Sequence, residues 1–185
     1  MLDEILNNAD ERMTKAVEHL KTELQSIRAG RATPQLLDRI QVDYYGTPSP
    51  INAVANITTP DPRMIVIQPW EKNMLGVIEK AIQKSDLGVN PTNDGTVVRL
   101  SFPPPTEDRR KELVKQVHAR SEEARVAVRN VRRDAADQMK KLDKDKQVQQ
   151  DEAHRAQEKL DKSTQGFVAQ VDDVAKKKEA EVLEV

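Results

Sequence analysis

The sequence predicts an α+β protein in two parts: an elongated three-helix bundle, and a small α+β domain inserted between the first helix and the second. Three observations carry this. The 185 residues are 33% charged and 37% hydrophobic but only 3% aromatic, too little bulk for a sheet-on-sheet core and well suited to long helices with one apolar stripe. Apolar residues recur at three-to-four spacing along three separate stretches. The prolines, both tyrosines and the single tryptophan are confined to the segment from Pro34 to Pro105.

The first stretch, residues 2–28, places Leu2, Ile5, Ala9, Met13, Ala16, Leu20, Leu24 and Ile27 on one face, with Gly30 as a stop signal. The second runs over 106–146 through Leu113, Val117, Ala124, Val128, Val131, Ala135, Met139 and Leu142. Thr106 is positioned to cap its first amides, and Glu107 and Asp108 suit the positive end of the helix dipole. The third, over 149–183, uses Ala156, Leu160, Thr164, Phe167, Val171, Val174 and Val182. Gly166 is expected within that stripe, at a cost of about 1 kcal/mol relative to alanine. One apolar face per helix leaves none stable alone, and three such faces close most simply into a slender bundle.

Between the first two helices the pattern changes. Residues 40–45 alternate apolar and polar side chains, as in a half-buried strand. Residues 46–50 read as a turn cluster, 54–58 and 64–68 as strands, and 73–84 as a short amphipathic helix. Asn93-Asp94-Gly95 is a tight-turn signal, and 96–102 reads as the last strand. The expected boundaries are 1–30 with 105–185 for the bundle and 31–104 for the insert. The two crossings, around 29–32 and 103–106, form a hinge: Gly30 and Arg31 on one side, Pro103, Pro104 and Pro105 on the other. Two short connections permit a swing and oppose free tumbling.

Several function classes fall away. The absence of cysteine removes thiol chemistry, thiolate metal sites and disulfides, and suits a reducing cytosol. No run of about 18 apolar residues is present, and the first ten residues are polar and acidic, so neither a membrane span nor a secretory signal is expected. His19, His118 and His154 fall on three different helices without metal-ligand spacing. No glycine pattern matches a dinucleotide or nucleoside-triphosphate loop, and no nucleophile-and-base arrangement marks a hydrolase. The expectation is a protein without cofactor, metal or catalytic residues. Trp70, Tyr44 and Tyr45 are expected as core or partly exposed packing of the insert.

Charge is sorted along the chain. Thirty basic and 31 acidic side chains nearly cancel, yet residues 106–146 carry 13 basic against 9 acidic. The sorting extends to one side of that helix. With Val128 at zero and ~100° per residue, Arg132, Arg125, Arg129, Lys140 and Arg133 fall at about +40° to +140°, while Glu123 and Asp134 fall near −140° and −120°. Residues 125–133 hold four arginines and no acid, and neither Arg125 nor Arg129 has an acid four residues on. Arginine suits bidentate phosphate contacts. A plain solvated face produces similar charge runs, and the residue pattern leaves both readings open. A helical scaffold that binds only protein is a third, for which the exposed Val126 is a scant apolar surface. The absence of aromatics on this helix favours folded, A-form RNA gripped through phosphates over stacked single strands.

Longer motifs narrow the choice. The segment Ala124-Arg125-Val126-Ala127-Val128-Arg129-Asn130-Val131-Arg132-Arg133-Asp134 closely resembles the signature of the bacterial ribosome recycling factor family. So do Ile27-Arg28-Ala29-Gly30-Arg31-Ala32, Asp43-Tyr44-Tyr45-Gly46-Thr47-Pro48, Glu79-Lys80-Ala81-Ile82, Ser85-Asp86-Leu87-Gly88-Val89-Asn90-Pro91 and Pro104-Pro105-Thr106-Glu107-Asp108-Arg109-Arg110-Lys111. These matches span essentially the whole chain in the family's order. Residues 158–164 depart from the usual family stretch, reading Glu158-Lys159-Leu160-Asp161-Lys162-Ser163-Thr164.

The resemblance implies an L-shaped, tRNA-like molecule with a β/α/β short arm, acting as a cytoplasmic monomer without membrane contact. It implies binding to large-subunit ribosomal RNA after peptide release. With elongation factor G, which supplies GTP hydrolysis, such a factor splits the subunits and releases them from mRNA for reuse. It further implies that Arg129, Arg132 and Arg133, with Arg110 and Arg28, face RNA or support that surface; Arg125 joins them on the strip.

Overall fold

The computed structural model describes residues 1–27 and 32–184. The chain divides into two compact units, Met1–Ala29 with Thr106–Val185, and Gly30–Pro105. The first is built from α1 (Leu2–Gln25), α3 (Glu107–Lys144) and α4 (Gln150–Leu183), with each helix packed on the other two. The second holds β1 (Gln41–Tyr44), β2 (Thr47–Pro50), β3 (Ala55–Asp61), β4 (Met64–Pro69), α2 (Met74–Lys84), β5 (Pro91–Asn93) and β6 (Val98–Ser101).

The bundle core follows the apolar stripes. One cluster gathers Leu20, Leu24, Leu113, Val117, Val171 and Val182; a second gathers Ala9, Met13, Val128, Val131, Met139 and Leu160. The half-buried Phe167 packs against both and joins them into one seam. Two hydroxyls enter this apolar column at little cost, because each donates to the carbonyl one turn back: Ser121 Oγ to Val117 O at 2.7 Å, and Thr164 Oγ1 to Leu160 O at 2.8 Å. Gly166 stands on the exposed side of α4 instead of in the stripe.

Helix α3 starts where the sequence places it: Thr106 Oγ1 accepts from the Arg109 amide at 3.1 Å, with Glu107 and Asp108 in the first turn. Its end is less conventional. The Gln147 amide donates to Leu142 O at 2.9 Å and the Lys146 amide to Asp143 O at 3.1 Å, with Lys146 at φ 55°. This is a Schellman closure with lysine where glycine is the usual choice. Helix α1 ends at Gln25, short of the expected residue 28, and Ser26 Oγ donates to Glu23 O at 2.6 Å. Arg28, Gly30 and Arg31 lie outside the described residues.

In the second unit, β3–β4–β6–β5 form an antiparallel sheet. Ile65 faces Leu100 and Ile67 faces Val98 in register, and all four side chains are fully buried together with Ile78 and Ile82 of α2. The strand period of two and the helix period of 3.6 thereby meet in one core. The expected turn at 46–50 is in fact strand β2, paired with β1 through a two-residue connection, Tyr45-Gly46. Both connecting residues have positive φ, 50° and 84°, the backbone of a tight hairpin turn. Pro48 and Pro50 fit there because β2 has only one strand neighbour, so their missing amides are needed by no ladder. Strand β5, three residues long and begun by Pro91, had no signal of its own in the sequence.

Trp70 and Tyr45 are not core residues. They are 68% and 73% exposed, while Tyr44 is half-buried and packs edge-on to Tyr45 with ring centroids 4.7 Å apart. Both phenols donate to Glu71, at 3.2 and 3.0 Å.

Candidate nucleic-acid interface

The arginine-rich face of α3 is built jointly with α4. Positions 125, 129 and 132 form one stripe on α3, and positions 161, 165, 168 and 172 form a stripe on α4 at the same helical spacing. The antiparallel pairing of these stripes supplies acids that the α3 sequence alone does not show. Arg125 Nε and Nη2 donate to Asp172 Oδ1 at 2.8 and 2.7 Å, and its Nη1 to Glu122 at 3.2 Å. Arg132 Nε and Nη2 both lie 2.8 Å from Asp161 Oδ1. Among the described residues Arg129 has only Glu122 of its own helix, at 3.7 Å.

Neither Arg125 nor Arg129 has an acid four residues on, as read from the sequence, and Glu122 reaches Arg125 closely and Arg129, seven residues away, more loosely. Glu122 lies one turn before Arg125, and Asp172 arrives from a helix whose register no periodicity along α3 encodes. The consequences differ by residue. Arg125 is drawn inward, with its side chain 24% exposed, and Asp172 and Glu122 hold its guanidinium in the charged form more firmly than in water. Arg132 is 42% exposed and keeps Nη1 without a partner among the described residues; Arg129 is 58% exposed. Arg133 and Lys140 are exposed and have no ion-pair partner among the described residues. The outward cationic surface is thus carried by Arg129, Arg133, Lys140 and the free edge of Arg132.

The remaining sites named from sequence fall elsewhere. Arg109 pairs with Glu112 at 3.0 Å, and Arg110 has an enclosed Nε without a hydrogen-bond partner among the described residues. Pro103, Pro104 and Pro105 form irregular backbone between β6 and α3. The histidines are spread as expected: His19 lies 3.0 Å from Glu23, His118 3.3 Å from Glu179 and His154 3.2 Å from Glu158. Among the described residues no group of three or more potential ligands is placed to hold a metal, and no helix is long and apolar enough to cross a membrane.

These features define a two-unit α+β protein whose most distinctive surface is an arginine-lined helix face. A family model for ribosome recycling factor matches residues 20–183. The chain is 54% identical to the ribosome-recycling factor of Brevibacillus brevis over 181 residues, 98% of each chain, and 55% identical to that of Symbiobacterium thermophilum over the full length of both. Among solved structures it is similar to a ribosome recycling factor in solution, with TM-score 0.70 and 41% identity over 100% of this chain and 98% of that one. It is also similar, with TM-score 0.60 and 46% identity over 99% of each, to a chain from models of the T. thermophilus ribosome recycling factor and the E. coli elongation factor G bound to the E. coli post-termination complex. The chain belongs to the ribosome recycling factor family.

Proposed function

We propose that this protein binds the post-termination ribosome and, with elongation factor G, splits it into subunits released from mRNA for another round. The observation that carries this reading is the near-full-length likeness to a recycling factor described together with elongation factor G on a post-termination complex. The protein performs no bond chemistry; GTP hydrolysis belongs to the partner. It acts in the cytoplasm as a monomer.

In this reading the bundle lies on large-subunit ribosomal RNA. Arg129, Arg132 and Arg133 meet phosphates, Arg125 braces the surface through Asp172 and Glu122, and Arg110, in the first turn of α3, and Arg28 add further cationic contacts. Guanidinium edges left free by an ion pair remain strong phosphate donors. The inserted unit swings about the crossings at 29–32 and 103–106, so that a push on it strains a stiff, anchored rod. Light scattering of vacant bacterial ribosomes mixed with the protein, elongation factor G and GTP tests the reading. Splitting that needs all three components is expected; ribosomes that remain joined would overturn it. An Arg129→Ala/Arg133→Ala double variant is expected to lose large-subunit affinity and about two units of salt slope, with unchanged circular dichroism.

A further inference from the structure

The Arg–Asp bridges between α3 and α4 form an incomplete ladder. Arg125–Asp172 makes one rung and Arg132–Asp161 another. Arg129 stands between them on α3, seven residues separating the outer two, or about 10.5 Å of helix. Opposite it α4 offers no acid. Instead a groove of about 480 Å³ opens there, lined by Arg129, Arg132, Thr164, Gln165, Val168 and Ala169 and closed at one end by Asp172.

This groove has an apolar floor and a charged rim. Val168 and Ala169 supply aliphatic surface, and the Thr164 hydroxyl is already committed to Leu160 O. Gln165 is exposed, and its amide has no partner among the described residues. A phosphate alone does not match an aliphatic floor, and an apolar protein side chain does not match two guanidinium groups at the rim. One ligand matches both: a flat base flanked by its own backbone phosphates. Bulged and unpaired bases are the parts of folded RNA that proteins read by splaying them out, and guanidinium planes stack on them. The volume lies in the range of small-ligand clefts.

We propose that the notch between the two Arg–Asp bridges receives one unstacked nucleobase of the RNA held by the arginine face, with Arg129 over the base and Gln165 at its hydrogen-bonding edge. The proposal rests on the RNA-binding reading above and adds a base-specific contact to what is otherwise a phosphate surface. Gln165 has the donor and acceptor that bidentate reading of an adenine requires.

Chemical footprinting of purified bacterial large subunits separates the two ideas. Base-specific probes report accessibility of base edges, and hydroxyl radicals report protection of the sugar-phosphate backbone. Ala169→Leu fills the notch without changing charge, at an exposed position where leucine is a good helix former. Gln165→Leu is the second variant, and circular dichroism shows whether each is folded. The expected result is that wild-type protein protects an unpaired base at least fivefold, that both variants leave it reactive, and that the backbone footprint and salt slope persist in all three. Variants that protect the same bases as wild type, or a wild-type footprint confined to backbone, would overturn the notch and leave the phosphate reading standing. Loss of the backbone footprint with wild-type protein would overturn the RNA reading itself.

Discussion

Replacing Asp161 by asparagine changes two quantities in opposite directions. Asp161 Oδ1 accepts from both Nε and Nη2 of Arg132 at 2.8 Å, and both side chains are 42% exposed. A half-exposed pair of this kind contributes about 0–1 kcal/mol to folding. Asparagine retains a carbonyl oxygen in the same place, so Arg132 keeps its orientation and the melting temperature falls by at most about 4 °C. In the proposed RNA-binding reading, affinity responds the other way. The carboxylate now neutralises the guanidinium that phosphate would otherwise neutralise, and its removal adds close to one effective cation to the surface. The slope of log K against log salt then steepens by about 0.7–0.9, so between 200 and 50 mM salt the variant gains about threefold more affinity than wild type does. Sedimentation with large subunits across that salt range measures it, with thermal unfolding as the companion. A variant that binds more weakly with an unchanged slope would refute the argument, because Arg132 would then act through shape and not charge.

Four further outcomes follow from particular contacts. Lys146→Gly is expected to raise stability by about 1 kcal/mol, since lysine at φ 55° bears the left-handed penalty that glycine does not, and a rise of about 2–4 °C in melting temperature checks it. Gly166→Ala is expected to stabilise by a similar ~1 kcal/mol, because a Cβ there meets nothing within 4 Å in an exposed helix interior; denaturant titration at constant m-value measures it. The negative charge of Glu71 pushes the Tyr44 phenol above its ordinary range, so Glu71→Gln should move the ultraviolet tyrosine titration toward lower pH. Asp94 is held below the ordinary carboxylate range by the amides of Val97 and Thr96. Its stabilisation is complete above that range and is lost as pH falls through the lowered value, so the stability gap between wild type and Asp94→Ala should close on acidification.

The helices were legible because their signals are local. The period of the apolar stripes, the Thr106 cap and the first-turn acids of α3 all lie within a few residues of what they determine. Strand β2 was hidden by the residues that make it possible: Pro48 and Pro50 signal a turn in sequence, and only a strand with a single neighbour tolerates them. The end of α3 was blurred for a related reason, since nothing in the string marks Lys146 as a left-handed position. Composition also gave no warning that Trp70 and Tyr45 would stand exposed. Their positions depend on where a two-residue hairpin and the end of β4 emerge from the domain, and that is a property of register.

The arginine face shows the same division most consequentially. Reading α3 alone assigns four guanidinium groups to one surface, and the helical angles behind that assignment are sound. Whether a guanidinium is available, however, depends on α4, whose own sequence reads as a net-acidic helix of no special note. Antiparallel packing aligns Asp172 with Arg125 and Asp161 with Arg132 while leaving Arg129 opposite aliphatic surface. The register of two helices thereby converts a uniform cationic stripe into a graded one. One arginine is a brace, one is held by an edge and still presents the other, and two remain exposed. In the proposed RNA-binding reading, the donors of Arg132 that Asp161 leaves free are oriented before a phosphate arrives and cost little further ordering on binding, whereas Arg129 and Arg133 must be ordered by the ligand itself.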